Sequence, residues 1–313
     1  MNIKTVPALI VAIILMASSV FAQHQDERTN PKIKSTDSHS KKKKEEEKEP
    51  IVRWHYGFNF GAYFANKYTA NYYNGNEKNV NKFSYVFNNP SWYKDIKQLL
   101  NISPTDSLYL RELPTNMHYK TTITAGLFLR YSLTRWLGFF LDANFVKLKS
   151  DDAVTMQKSY DTTSLQLPQL LFIPIHGEEE HINFDLGTHF IFPVYKNKMN
   201  LFLEGGFNFN YTQILKSFVY FGDREFSMIN IYGNQQYSAG YNTQEFPVTQ
   251  GGIGYGVFGG GGIGFTFVPA FGLELGCNVR HVKVNLEGYT AFKPSYEIYL
   301  RFLFGSFKSR EDD

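Results

Sequence analysis

Apolar and polar residues alternate with a period of two along most of residues 51–305, and the alternation is cleanest over 182–212. There Ile182, Phe184, Leu186, Phe190, Phe192 and Val194 oppose Asn183, Asp185, Gly187 and His189. After a polar turn at Lys196, Asn197 and Lys198, the apolar set Leu201, Leu203, Phe207, Phe209 and Tyr211 opposes Glu204, Gly206, Asn208 and Asn210. A period of two marks a strand with one apolar face, so this stretch predicts a hairpin. Each arm is longer than the roughly 9 to 11 residues that a tilted strand needs to cross a bilayer.

The same pattern predicts six more strands. The first carries Trp54, Tyr56, Phe58, Phe60, Ala62 and Phe64 against His55, Gly57, Asn59 and Gly61. The second covers about 119–133 and the third about 136–149, with only Thr134 and Arg135 between them; the hairpin supplies the fourth and fifth. The last three cover 253–268, 271–285 and 295–305. The expected fold is therefore all-β, an eight-stranded antiparallel up-and-down transmembrane β-barrel with long extracellular loops. Turns near 134, 197 and 269 are tight and alternate with longer connections at 67–118, 151–181, 214–252 and 286–294. Outer-membrane barrels of Gram-negative bacteria keep short turns in the periplasm and long loops outside, which makes both termini periplasmic. Pro193 lacks a ladder donor and fits only near a strand end. The segment 165–175 (LQLPQLLFIPI) is placed in the second loop, as a strand extension above the membrane. In the first loop, Pro90 and Ser91 start a short amphipathic helix carrying Trp92, Ile96, Leu99 and Leu100, read as a lid on the barrel mouth or as a partner-binding helix.

Composition sharpens the class. Twenty-nine Phe and 21 Tyr in 313 residues, at a mean hydropathy of −0.31, suit apolar residues spread over strands instead of gathered into 20-residue runs. The net charge of +3 does not point to nucleic acid. The lone Cys277 excludes an internal disulfide framework and a thiolate metal cluster. Lys4, the apolar run 6–16 and the small-residue site ending at Ala22 predict a signal peptide over 1–22. Residues 23–50, ending KKKKEEEKEP, predict a disordered, charged periplasmic leader, with 306–313 a periplasmic tail after the 51–305 barrel. A lipocalin also has eight alternating strands, but its second face would meet water; here that face is Gly, Asn, Thr and a few charges, which suits a narrow lumen.

Strand parity turns eight charges inward: Arg130, Asp142, Asp185, Glu204, Glu274, Arg280, Glu297 and Arg301. Glu274 with Arg301 and Arg280 with Glu297 fit one register between the last two strands, and Arg130 faces Asp142 diagonally. An eight-stranded barrel is just wide enough inside for side chains to fill, so these groups are expected to pair and plug the lumen. Three other patterns carry candidate chemistry. Gly254, Gly256 and Gly259 match G-x-G-x-x-G, but no helix follows and the glycines continue within a strand, so barrel curvature explains them. His176, Glu178 and His181 in HGEEEH are types that bind a divalent metal, though not at a zincin spacing. His281 and Lys283, lipid-facing by parity, suit lipopolysaccharide phosphates or form an ordinary basic rim.

The run FIFPVYKNKMNLFLEGGFNFNY, an aromatic-Pro strand, a basic turn and a strand with Glu204, Gly205 and Gly206, resembles the PorT-like outer-membrane β-barrel family. That resemblance implies an eight-stranded barrel acting as an accessory part of an envelope machine such as a secretion system. The lipid A deacylases share the architecture, but their His-x-Ser pattern would fall at residues 281–283, where Lys283 replaces serine. The sequence therefore predicts a non-enzymatic outer-membrane protein without cofactor. Its expected partners are outer-membrane lipid and lipopolysaccharide, and envelope proteins met through 67–118, 151–181, 214–252 or the leader. The alternative is a small-solute channel or surface-ligand binder.

Overall fold

The computed structural model describes residues 53–159, 169–195, 198–229, 250–268 and 270–306. The signal peptide, the leader, residues 307–313 of the tail, and Lys196 and Asn197 of the predicted turn lie outside the described residues. So do 165–168 of the segment placed in the second loop.

One antiparallel sheet dominates. Its strands are β1 (Trp54–Phe64), β2 (Ser107–Glu112), β3 (Thr122–Ser132), β4 (Leu137–Ser159), β5 (Gln169–Tyr195), β6 (Met199–Phe221), β7 (Arg224–Ser227), β8 (Gly251–Val268), β9 (Phe271–Lys283) and β10 (Lys293–Ser306). Strands β3, β1, β10, β9, β8, β6, β5 and β4 pair in that order, and β4 pairs back with β3, so these eight form a closed ring. Closure removes the free edges that an open sheet would expose. Strand β2 pairs with β4 and β7 with β6, outside the ring.

The strand-forming residues are aromatic and β-branched, and the turns are local. Thr134 Oγ1 accepts from the N–H groups of Trp136 (3.2 Å) and Leu137 (3.0 Å), closing the β3–β4 turn. Pro193 falls where the β5–β6 register shifts, near the end of β5. The outward residues of the ring form an exposed apolar belt, including Phe58, Phe60, Leu141, Phe145, Leu186, Leu203, Phe207, Val257 and Leu275. On β6 the belt runs from Leu201 to Tyr211, which at about 3.3 Å per residue and a tilt of about 40° spans about 25 Å. A lipocalin interior would have buried these side chains, so that reading is excluded.

Two expectations change. The third, fourth and fifth strands do not stop near residues 149, 182 and 212: β4, β5 and β6 extend to 23, 27 and 23 residues. Much of the predicted second loop is therefore paired strand, and 169–175 joins β5. The alternation was present there, but its phase inverts. Below, the odd residues Phe139, Leu141 and Phe145 of β4 face out; above, the even residues Val146, Leu148, Val154 and Met156 are apolar and buried. A search for one continuous apolar face stops at the inversion.

The first loop is folded. It contains α1 (Lys67–Ala70), a 3₁₀ turn (Asn71–Tyr73), α2 (Phe83–Phe87), α3 (Pro90–Leu99) and β2. Asn89 caps α3 by accepting from Ser91 and Trp92, and Pro90 occupies the first turn, where its missing donor costs nothing. Ala70, Tyr72, Tyr73, Phe83, Val86, Ile96 and Met117 bury against the inner face of the β4–β6 extensions. This layer is a second core, and it caps the ring.

Candidate functional site in the lumen and its outer mouth

The ring brings all eight parity-assigned charges into its interior, each at most 5% exposed. Register puts Arg301 opposite Glu274 and Arg280 diagonal to Glu297. Arg301 contacts Glu274 at 2.9 Å and Glu204 at 2.6 Å. Its Nε donates to Asn59 (2.9 Å), and Asn59 donates to Asp142 (2.6 Å). Arg280 meets Glu297 at 2.5 Å and grips Asp185 through Nε and a terminal nitrogen at 2.9 and 2.7 Å. Asn208 donates to the other Asp185 oxygen at 2.7 Å.

Arg130 and Asp142 lie diagonally across β3 and β4, but they do not pair. The Phe128 and Phe140 rings occupy the other diagonal, tilted and with centroids 5.4 Å apart. Arg130 instead reaches across the lumen to Glu274 at 3.0 Å, while Asp142 turns to Arg301 at 3.4 Å and to Asn59. In a ring this narrow the opposite wall is within reach of an arginine, so a charge on the adjacent strand is not its only available partner.

His189 and Tyr299 join these groups: parity turns both inward, but neither carries a formal charge that would mark it in the sequence. His189 bridges Arg130 (2.8 Å) and Glu204 (2.8 Å). Arginine has no acceptor, so Nε2 of His189 accepts and Nδ1 carries the proton toward Glu204. Tyr299 donates to Glu204 at 3.1 Å. Among these groups Phe128, Phe140, Phe258 and Leu303 form a small apolar cluster, and the Arg301 guanidinium lies 3.6 Å from the Phe128 ring centroid. Room for these groups comes from glycine: a Cβ at Gly276 would lie 2.6 Å from the Tyr299 ring.

Above the charges lies a tier of buried amides and hydroxyls from Asn144, Asn183, Asn210, Thr124 and Thr212. Tyr63 closes it with a 3.0 Å hydrogen bond to Ser295, beside a cavity of about 20 Å³, the size of one water, that also touches His181. The cap then seals the mouth. The Tyr73 ring lies on Gly177, where a Cβ would come within 2.1 Å of it. Its hydroxyl donates to buried Glu179 at 2.5 Å, and Glu179 also meets His181 at 2.8 Å. Burial first, and then the facing Glu179 charge, pushes the phenols of Tyr73 and Tyr119 well above their ordinary value. Tyr72 is raised by burial and by Glu287 and Glu179. Reciprocal amide bonds between Asn81 and Gln250 (2.9 and 2.8 Å) and the Tyr289 to Asn79 bond (3.0 Å) tie the cap to the ring.

The candidate metal ligands do not converge. His176 and Glu178 face outward, with His176 on Asp151 and 3.8 Å from Glu178. His181, of opposite parity, is buried on the inner face with Glu179. Among the described residues no group of three or more His, Cys, Asp or Glu is placed to hold a metal ion. His281 is exposed and stacks on Phe292 at 5.9 Å, and Lys283 is half-buried beside it on the outer surface.

The lumen and belt together define the class: an all-β closed antiparallel ring, polar and packed inside and apolar outside. No family model matches the chain, and no curated protein matches it. Among solved structures the chain is similar to three outer-membrane proteins. Neisserial surface protein A has a TM-score of 0.39 at 10% identity, over 82% of this chain and 98% of that one. OprG from Pseudomonas aeruginosa has a TM-score of 0.38 at 10% identity, over 82% and 98%. Ail of Yersinia pestis, solved with the heparin analogue sucrose octasulfate, has a TM-score of 0.32 at 8% identity, over 82% and 99%.

Proposed function

We propose that this protein is a non-enzymatic, non-conducting barrel of a Gram-negative outer membrane that serves an envelope protein complex through its outer cap, as the resemblance to PorT-like barrels implies. The inversion of apolar phase along β4 carries the membrane assignment. A strand that turns phenylalanine and leucine outward for one stretch and inward for the next, without a bulge in its pairing to β5, fits two surroundings, lipid below and water above. The belt height matches the roughly 25 Å apolar band of such barrels. Tight turns then lie in the periplasm with both termini, and the cap lies outside.

The packed lumen supports the non-conducting part. Three arginines and five carboxylates, with His189, Tyr299 and the amides, fill the section, the apolar cluster of Phe128, Phe140, Phe258 and Leu303 packs among them, and the cap closes the outer end. The cap remains as the working surface, and the exposed side chains of Tyr109, Leu170 and Phe172 on its outer sheet offer contacts to a protein partner. Photo-cross-linkers placed at Tyr109 and Phe172 in cells should give discrete protein adducts absent from a Leu203 control. Loss of solute uptake on deletion, with no adduct at either cap position, would favour the channel reading.

A further inference from the structure

At the level where the apolar phase inverts, one outward sector of the wall is built differently from the rest. On β4, Phe145 ends the belt and Lys147 and Lys149 follow on the same face. Glu178 of β5 lies directly opposite Lys149 on one side and Lys216 of β6 on the other. Lys216 reaches that face only because of a bulge: the β5–β6 register shifts between Glu178 and Glu179, where Leu215 is skipped, and parity on β6 changes. Without the bulge the ammonium would point into the core. Bulges of this kind re-aim side chains beside functional surfaces.

The lysines are held in place and yet open. The Glu178 side chain is 7% exposed and lies beneath them, meeting Lys147 at 2.6 Å and Lys149 at 3.8 Å, while those two side chains are 43% and 52% exposed. Burial alone would raise the Glu178 carboxyl, but the bond from Lys147 and the charges of Lys147, Lys149 and Lys216 hold it below its ordinary value. Each ammonium has three donors, and of the row only Lys147 lies within hydrogen-bond distance of the Glu178 carboxylate, so most of these donors remain for a ligand. Lys120 adds a fourth cation above the row, bonded to Asp151 at 2.5 Å, and Asp151 also holds His176. With Glu180 opposite Lys147, the sector carries four lysines against three carboxylates, the most buried of which is the one that positions the row.

We infer that Lys147, Lys149 and Lys216 form a binding site for the phosphate of an outer-leaflet lipid headgroup. The inference rests on the membrane reading above, because that reading puts the row one to two residue pairs beyond the apolar belt, at headgroup height. It is separate from the His281 and Lys283 rim, which belongs to β9. Cationic side chains at a membrane surface contribute roughly fivefold each to the retention of an anionic lipid.

The test uses the full mature chain in phosphatidylcholine nanodiscs doped with bis-phosphorylated lipid A, with dephosphorylated lipid A, or with inorganic phosphate in the buffer, and reads bound lipid by native mass spectrometry. The wild type should retain the phosphorylated lipid selectively. The double variant Lys149→Gln/Lys216→Gln should lose roughly 25-fold, Lys149→Arg/Lys216→Arg should retain it, and Lys94→Gln on the cap should behave as wild type. Equal retention of dephosphorylated lipid, equal retention by the double variant, or occupancy by inorganic phosphate without lipid retention would each overturn the site. Protease protection of the strands in the same nanodiscs is scored separately: its failure sinks the membrane reading, whereas protection without lipid selectivity sinks only the phosphate site.

Discussion

Strand β4 runs through two regions that follow opposite rules, apolar outside and polar inside from Leu137 to Phe145, then apolar inside and polar outside from Val146 to Ser159. Period and pairing are the same in both. Only the surroundings of the outer face change, and the inner face changes with them. Where the outside is apolar, the narrow interior is filled by paired charges; where the outside is wet, the interior becomes an ordinary hydrophobic core made with the first loop. The lower region obtains its order from mutual pairing of groups that are each costly to bury, and the upper region from burial of apolar surface.

The largest effect should come from breaking the pairing below. Arg301→Met leaves Glu204, Glu274 and Asp142 facing one another without their shared cation, and removal of one member of a buried ionic network costs about 3 to 5 kcal/mol. Urea titration in vesicles should show it. A loss under about 1 kcal/mol would mean that the lumen is hydrated and the network slack. Next in size, Leu203→Arg, on the belt, should cost about 2 to 4 kcal/mol in the bilayer; a neutral outcome in lipid would assign the belt wrongly.

In the upper region a single hydrogen bond is at stake. Tyr73→Phe leaves Glu179 with His181 but without its phenol donor, a loss of about 1 to 3 kcal/mol, and Gly177→Ala displaces the ring outright. Both should raise hydrogen exchange over 67–118 while leaving the lower strands protected. Exchange rising equally in both regions would mean that cap and lumen unfold as one. The smallest effect is on alkaline titration. Phenols with raised values stabilise the folded form fully below about pH 10 and lose that contribution as pH climbs through the folded values. Ultraviolet titration should therefore show Tyr72, Tyr73 and Tyr119 ionising late, with cap exchange rising above pH 10; normal ionisation of all tyrosines would contradict their burial.

Legibility in the sequence divided along the same line. The strands of the ring and the inward set of charges followed from parity, because lipid on one side and a narrow lumen on the other leave each position one choice. Arg130 and Asp142 show where that stops: parity gives the face, but the partner depends on which opposite-wall side chain an arginine can reach. His189 obeys the same rule, but without a formal charge only its parity marks it. The cap was less legible. Pro90, Ser91 and the Trp92 and Ile96 spacing mark α3, yet nothing local marks β2, or the bulge at Leu215, or the seating of Tyr73 on Gly177, since these depend on contacts between residues up to about a hundred positions apart.

Whether the lower region is a solid plug is decided by single-channel recording of the purified barrel in a planar bilayer. The paired charges, the apolar cluster packed among them and the cap predict no stable open level at any polarity. Steady conductance on the nanosiemens scale would contradict the plug and make solute passage the leading function.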